Sequence, residues 1–102
     1  MIYGEIISDK NYYDFYPELL ELIQRNFENV EAGVQGDAYI WIMNENEKIA
    51  LDTFTSMRFQ IKSNRYGGTL LESVIQLLES KLSVYMYEKP EIEVNDDLSN
   101  HT

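Results

Sequence analysis

Apolar and polar positions alternate with two different periods along the chain, and the changes of period mark the elements. Ile2 to Ile7 reads as a short strand, with Ile2, Gly4 and Ile6 on one face and Tyr3, Glu5 and Ile7 on the other. A polar break, Ser8 to Asn11, follows. Tyr16, Leu19, Leu20, Ile23, Phe27 and Val30 then recur at helical spacing, with Glu18, Glu21, Gln24, Arg25 and Glu28 on the opposite side. Pro17 predicts the first turn of that helix, where a missing N–H leaves no bond unmade. Tyr16 belongs to the apolar stripe and Phe15 stands beside it, whereas Tyr12 and Tyr13 precede the predicted start.

Glu31 to Gly36 contains two glycines and reads as a loop or a weak strand. From Ala38 to Met43 the alternation returns, with Ala38, Ile40 and Ile42 on one face and Tyr39, Trp41 and Met43 on the other. Both faces are apolar, so this strand is either covered on both sides or exposes an aromatic face. Asn44 to Glu47 is a turn, and Lys48 to Phe54 is the returning strand of a hairpin. Met57, Phe59 and Ile61 alternate with Arg58, Gln60 and Lys62, which predicts a half-buried strand with a basic outer row. After the turn-rich Ser63 to Gly68, Thr69 and Glu72 match a capping box. Leu70, Leu71, Val74, Ile75, Leu77, Leu78 and Leu82 predict a second, more apolar helix, and Val84 to Tyr87 a last strand. Beyond Pro90 the chain loses aromatics and gains acids.

These elements predict an α+β fold: an antiparallel sheet of four to five strands with two helices packed on one face. A ferredoxin-like variant, a split β-α-β arrangement with an extra strand at Met57 to Lys62, is one topology that fits. Residues 1–89 are expected to form one domain, and residues 90–102 an acidic, disordered tail. At 102 residues the chain suits a single core, since a domain of this size buries roughly 60 to 70 % of its unfolded surface.

Charge changes the picture most. The net charge is −10 and is unevenly spread. Residues 1–52 carry eleven acids and three bases, residues 53–87 two acids and four bases, and residues 88–102 five acids and one lysine, giving −8, +2 and −4. Such a field repels nucleic acid phosphates and anionic lipid and attracts basic partners. No direct nucleic acid binding is therefore expected, and three cations at Arg58, Lys62 and Arg65 do not make a nucleic-acid footprint. No signal peptide is evident, and no run approaches 18 apolar residues, so a soluble, cytoplasmic protein without a membrane span is expected.

Candidate chemistry is sparse. There is no cysteine, which removes disulfides, thiolate metal sites and a cysteine nucleophile together. The one histidine, His101, is next to last, so the serine and cysteine triads and zinc sites lack their parts. Gly67-Gly68 before a helix matches neither a Walker loop nor a dinucleotide fingerprint and reads as a turn. Asp9 and Asp14, or Asn44 to Glu47, do not have the spacing of a calcium loop. Neither a cofactor, a metal site nor catalysis is expected.

Binding is the better lead. Eight tyrosines and one tryptophan form a rich set of anchors, because aromatic side chains hold interfaces while losing little side-chain entropy. Acids beside exposed aromatics suit a basic protein partner, since charge speeds encounter and aromatics hold. In size and charge the chain is similar to small immunity proteins of bacterial toxin–immunity pairs, a resemblance that implies inhibition of a basic toxin such as a nuclease. The expected contact residues are Tyr12, Tyr13 and Asp14, then Glu18, Glu21, Glu28 and Glu31, and Glu45 and Glu47 at the hairpin turn. The alternatives are a homo-oligomeric or adaptor domain, a homodimer among them, and a nucleic-acid mimic that inhibits a DNA-binding enzyme.

Overall fold

Period-two alternation builds the sheet and period-3.6 stripes cover it. The computed structural model describes residues 1–92, in the order β1 (Ile2–Ile7), α1 (Tyr12–Asn26), β2 (Val30–Gln35), β3 (Asp37–Met43), β4 (Lys48–Asp52), β5 (Gln60–Ser63), α2 (Thr69–Lys81) and β6 (Ser83–Glu91). The fold is α+β. One antiparallel sheet holds all six strands in the order β2-β3-β4-β5-β1-β6. α1 buries Phe15, Leu19 and Ile23, and α2 buries Leu71, Val74 and Leu78. Both stripes pack on the same sheet face, whose centre is Ile6, Ile40, Ile42, Ile49, Leu51 and Ile61. Each of these large side chains, fully buried, contributes about 1.5–3 kcal/mol.

The strand count exceeds the four to five expected, because Val30 to Gln35 forms a full edge strand, paired with β3 from Val30↔Ile42 to Gln35↔Asp37. Its glycine is not a break but a packing device. A Cβ at Gly33 would lie 2.8 Å from the Tyr39 hydroxyl, so the tyrosine ring fills the space a side chain would take. The stretch from Met57 is shorter as a strand than its alternation suggests. β5 begins only at Gln60, and Met57 is 75 % exposed. The preceding backbone is drawn into local turns, with the Phe54 N–H donating to Asp52 and the Arg58 N–H to Ser56, which compete with ladder pairing. β5 is also central, between β4 and β1, rather than an addition to the sheet.

Both helices begin differently from the sequence expectation. α1 starts five residues before Pro17, because Asn11 caps it: its Oδ1 accepts the Asp14 N–H at 3.0 Å, and its Nδ2 donates to the Asp14 carboxylate at 3.0 Å. Pro17 therefore lies in the second turn, on the exposed side. At α2 the cap position is Gly68 rather than Thr69, and no capping-box bond forms. A carboxylate from another element does that work. Glu47, at the end of the β3–β4 turn, accepts the Leu70 and Leu71 N–H groups, both at 3.3 Å. Gly68 has φ 115°, and a Cβ there would run into the Glu47 carboxylate, so glycine is required twice over. At the other end of the chain β6 continues through Pro90 to Glu91, past the expected boundary at residue 89, and proline is tolerated there because β6 is an edge strand. The rest of the expected tail, residues 93–102 with His101, lies outside the described residues.

Replacing Glu47 with alanine strips two N–H groups of their partner and removes an anion from a helix N-terminus, so urea unfolding is expected to show a loss of about 1–3 kcal/mol. The same change at exposed Glu72 should lie within about 0.5 kcal/mol of the parent.

Candidate functional site

α1 gathers most of the residues expected to meet a partner, but it sorts them. Phe15 is core, its ring 6.2 Å from Phe59, and Tyr16 stacks on the same ring. Tyr12 is half-buried and its hydroxyl donates to the Gly36 carbonyl at 3.2 Å, which ties the helix start to the β2–β3 turn. Tyr13 alone of the four turns outward, at 62 % exposed. Asp14, Glu18, Glu21 and Glu28 are exposed along and just after the helix. Their ion pairs are surface pairs, Lys10–Glu18 at 3.6 Å and Arg25–Glu21 at 2.6 Å, of a kind that contributes at most about 1 kcal/mol.

The remaining expected residues lie elsewhere. Glu31 stands opposite Trp41 on the sheet face away from the helices. Glu45 is exposed at the β3–β4 turn. Glu47 is buried, 6 % exposed, and its carboxylate is committed to α2, so it offers no charge to a partner. The structure thus leaves Tyr13, Asp14, Glu18 and Glu21 exposed on α1 and Glu28 exposed just after it, and places the others on different elements.

The second sheet face carries a group of residues that sequence reasoning did not assemble. No helix covers it. Tyr39 and Trp41 lie 4.6 Å apart and Tyr39 and Phe54 6.3 Å apart, and the Lys48 Nζ sits over the Trp41 ring at 3.6 Å. Beside them a cleft of about 190 Å³ is lined by Trp41, Lys48, Asp52, Phe54, Lys62 and Asn64, among others. At its floor Lys62 donates to Asp52 at 2.6 Å, with both side chains over nine-tenths buried. Lys62 is therefore not part of a basic outer row. It is a structural cation whose stem lies along the sheet and whose charge is matched. Further along, Glu5 receives Arg58 at 2.8 Å and the Tyr87 hydroxyl at 3.3 Å. The only signal for this face in the sequence was that Ala38 to Met43 is apolar on both sides.

Two tyrosines are shifted. Burial, and after it the neighbouring Tyr39, hold the Tyr16 hydroxyl above its ordinary value of 10.0. Burial does the same to Tyr87; Glu5 and Glu91 add to it, and a hydrogen bond with Gln60 opposes it. Among the described residues no group of three or more His, Cys, Asp or Glu side chains could hold a metal ion, and no helix is long and apolar enough to cross a membrane. The N-terminus of α2, where an anion could sit, is already filled by Glu47. No family model, no curated protein and no solved structure matches the chain.

Removing one member of the buried pair leaves the other charge without its partner, so Lys62→Met alone should destabilise by about 3–5 kcal/mol, whereas Lys62→Met with Asp52→Leu should lie much closer to the parent. Denaturant midpoints of the two variants check this. For the tyrosines, a folded-state pKa above the unfolded one means stability is whole below pH 10 and falls as pH rises toward the folded value. Thermal melts from pH 9 to 11.5 should show that decline, and Tyr16→Phe should make it shallower.

Proposed function

We propose that the chain is a non-enzymatic protein-binding module that uses the acidic outer side of α1 to occupy the basic surface of a protein partner and neutralise it. The partner class this fits is a bacterial toxin of nuclease type, which makes the chain its immunity protein. A nuclease grips phosphate with a basic active site, and a carboxylate row of matching spread can occupy that surface in place of nucleic acid. The observation that supports the reading is the exposed set along α1: Asp14, Glu18, Glu21 and Glu28 with Tyr13 projecting at the helix start. The acids steer and the tyrosine anchors. Both intramolecular ion pairs on this side involve exposed groups, so Glu18 and Glu21 can exchange Lys10 and Arg25 for a partner's cations at little cost.

The experiment is co-expression of the tagged chain with the adjacent open reading frame, followed by purification. Recovery of a stoichiometric basic protein, toxic when expressed alone, is the expected outcome. Tyr13→Ala should then weaken binding at least about tenfold, and Glu18→Lys with Glu21→Lys should slow association by about tenfold or more at low salt. Neither should move the melting temperature, whereas Tyr12→Ala should lower it. Charge reversal at Glu72 and Glu79 on α2 is the control. Recovery of the chain alone as a dimer would overturn the reading.

A further inference from the structure

The cleft on the helix-free face has a chemistry opposite to that of the chain as a whole. The protein carries −10, yet this cleft is lined by two lysines, by Met1 with its N-terminal ammonium, which donates to the Ser63 carbonyl at 2.9 Å, and by a single carboxylate. That carboxylate, Asp52, accepts Lys62 at 2.6 Å and the Phe54 N–H at 3.3 Å. Lys48 forms no ion pair with a described residue; its ammonium instead rests on the face of Trp41. With Asp52 and Lys62 matched, the cations that line the cleft, Lys48 and the Met1 ammonium, outnumber the acid that stands beside Trp41 on this face, Glu31, and leave the cleft locally cationic. Charges further away count for less, because at physiological salt interactions between exposed charges fall off beyond about 8 Å.

Size and walls narrow the ligand. An apolar cavity of about 150 Å³ is enough to hold benzene, so a cleft of about 190 Å³ has room for one ring. Trp41 and Phe54 supply π-faces, and Ala50 between them keeps the cleft open. The backbone that carries the cation is held in place beforehand, and the ammonium rests on the Trp41 ring. The Lys48 N–H donates to Asn64 Oδ1 at 2.9 Å and the Asn64 N–H returns to the Lys48 carbonyl at 3.1 Å, while Tyr39 backs Trp41 at 4.6 Å. A ligand therefore meets a formed site and does not have to order it.

We propose that this cleft binds a small single-ring organic carboxylate, its ring along Trp41 and Phe54 and its carboxylate on the Lys48 ammonium. The site is separate from the acidic side of α1 and does not rest on the immunity reading. A bound anion also completes the charge arrangement at Lys48, which otherwise has only the weaker attraction of an aromatic face.

Trp41 is the one tryptophan of the chain, so its emission reports the cleft directly. Benzoate, benzamide and benzamidine present the same ring with negative, neutral and positive head groups, and each is titrated against the full chain by fluorescence and by calorimetry. Benzoate should give a saturable change, benzamide should bind about tenfold more weakly, as expected for loss of a charge-assisted hydrogen bond, and benzamidine should not saturate. Lys48→Gln should weaken benzoate to about the level of benzamide and leave benzamide itself unchanged, with the melting temperature showing that the variant is folded. Phe54→Ala should weaken benzoate and benzamide alike. The proposal is overturned if benzoate does not saturate, if benzamidine binds as tightly as benzoate, or if Lys48→Gln leaves benzoate binding unchanged.

Discussion

Both helices of the described residues pack on the same side of the six-stranded sheet, and most of what distinguishes this molecule follows from that arrangement. α1 and α2 take the face built from the small and branched residues of β1, β3, β4 and β5, and there the interior is aliphatic. The opposite face has no helix from the described residues to exclude water. Its own side chains must shield the ladder, and they do so by leaning on one another: Tyr39 on Trp41, Lys48 on Trp41, Lys62 beneath Phe54. Long side chains lying flat can bury apolar stems while still presenting charge. The result is a face that is neither a core nor an ordinary solvated surface.

Polar groups within this arrangement are matched by partners far away in sequence. Among the described residues no buried side-chain nitrogen or oxygen lacks a hydrogen-bond partner. Lys62 finds Asp52, Glu5 finds Arg58 and Tyr87, and Glu47 finds the open N-terminus of α2. These contacts join β4 to β5, the β4–β5 loop to β1, and the β3–β4 turn to the second helix. A buried pair such as Asp52–Lys62 adds little net stability over apolar packing, but it penalises the wrong register. A one-residue slip of β5 would carry Lys62 to the aliphatic side.

The charge of the molecule is correspondingly divided. The acidic row of α1 faces outward on the helical side, while the cleft of the opposite face is cationic at Lys48. The two surfaces differ in kind: one carries exposed carboxylates that follow a protruding Tyr13 along the chain, the other sets Lys48 against aromatic side chains. A sheet sandwiched between them keeps the two apart, so that occupancy of one need not disturb the other.

The sequence by itself determined the α+β class, both helices, the hairpin of β3 and β4, and which residues of β1 and β3 share a face, because local periodicity carries that information directly. Val30 to Gln35 and the α1 start were harder to read. A glycine filled by a neighbouring ring looks like a loop, and Pro17 looks like a boundary until Asn11 is seen to cap an earlier turn. Of the expected contact residues, the exposure of Glu18, Glu21 and Glu28 was legible from helical spacing, since amphipathicity fixes which side faces out, whereas Tyr12 and Tyr13 lay before the expected helix start and could not be told apart. What became of Glu47 and Lys62 was decided only by the tertiary structure. A charged residue in a turn or at an alternating strand position looks solvated in one dimension; that it is buried depends on a partner 23 residues away for Glu47 and Leu70, and ten for Lys62 and Asp52. The cleft is of the same kind: it joins side chains of β3, β4 and β5 and the loops after β4 and β5, and no spacing along the chain encodes which strands will be neighbours.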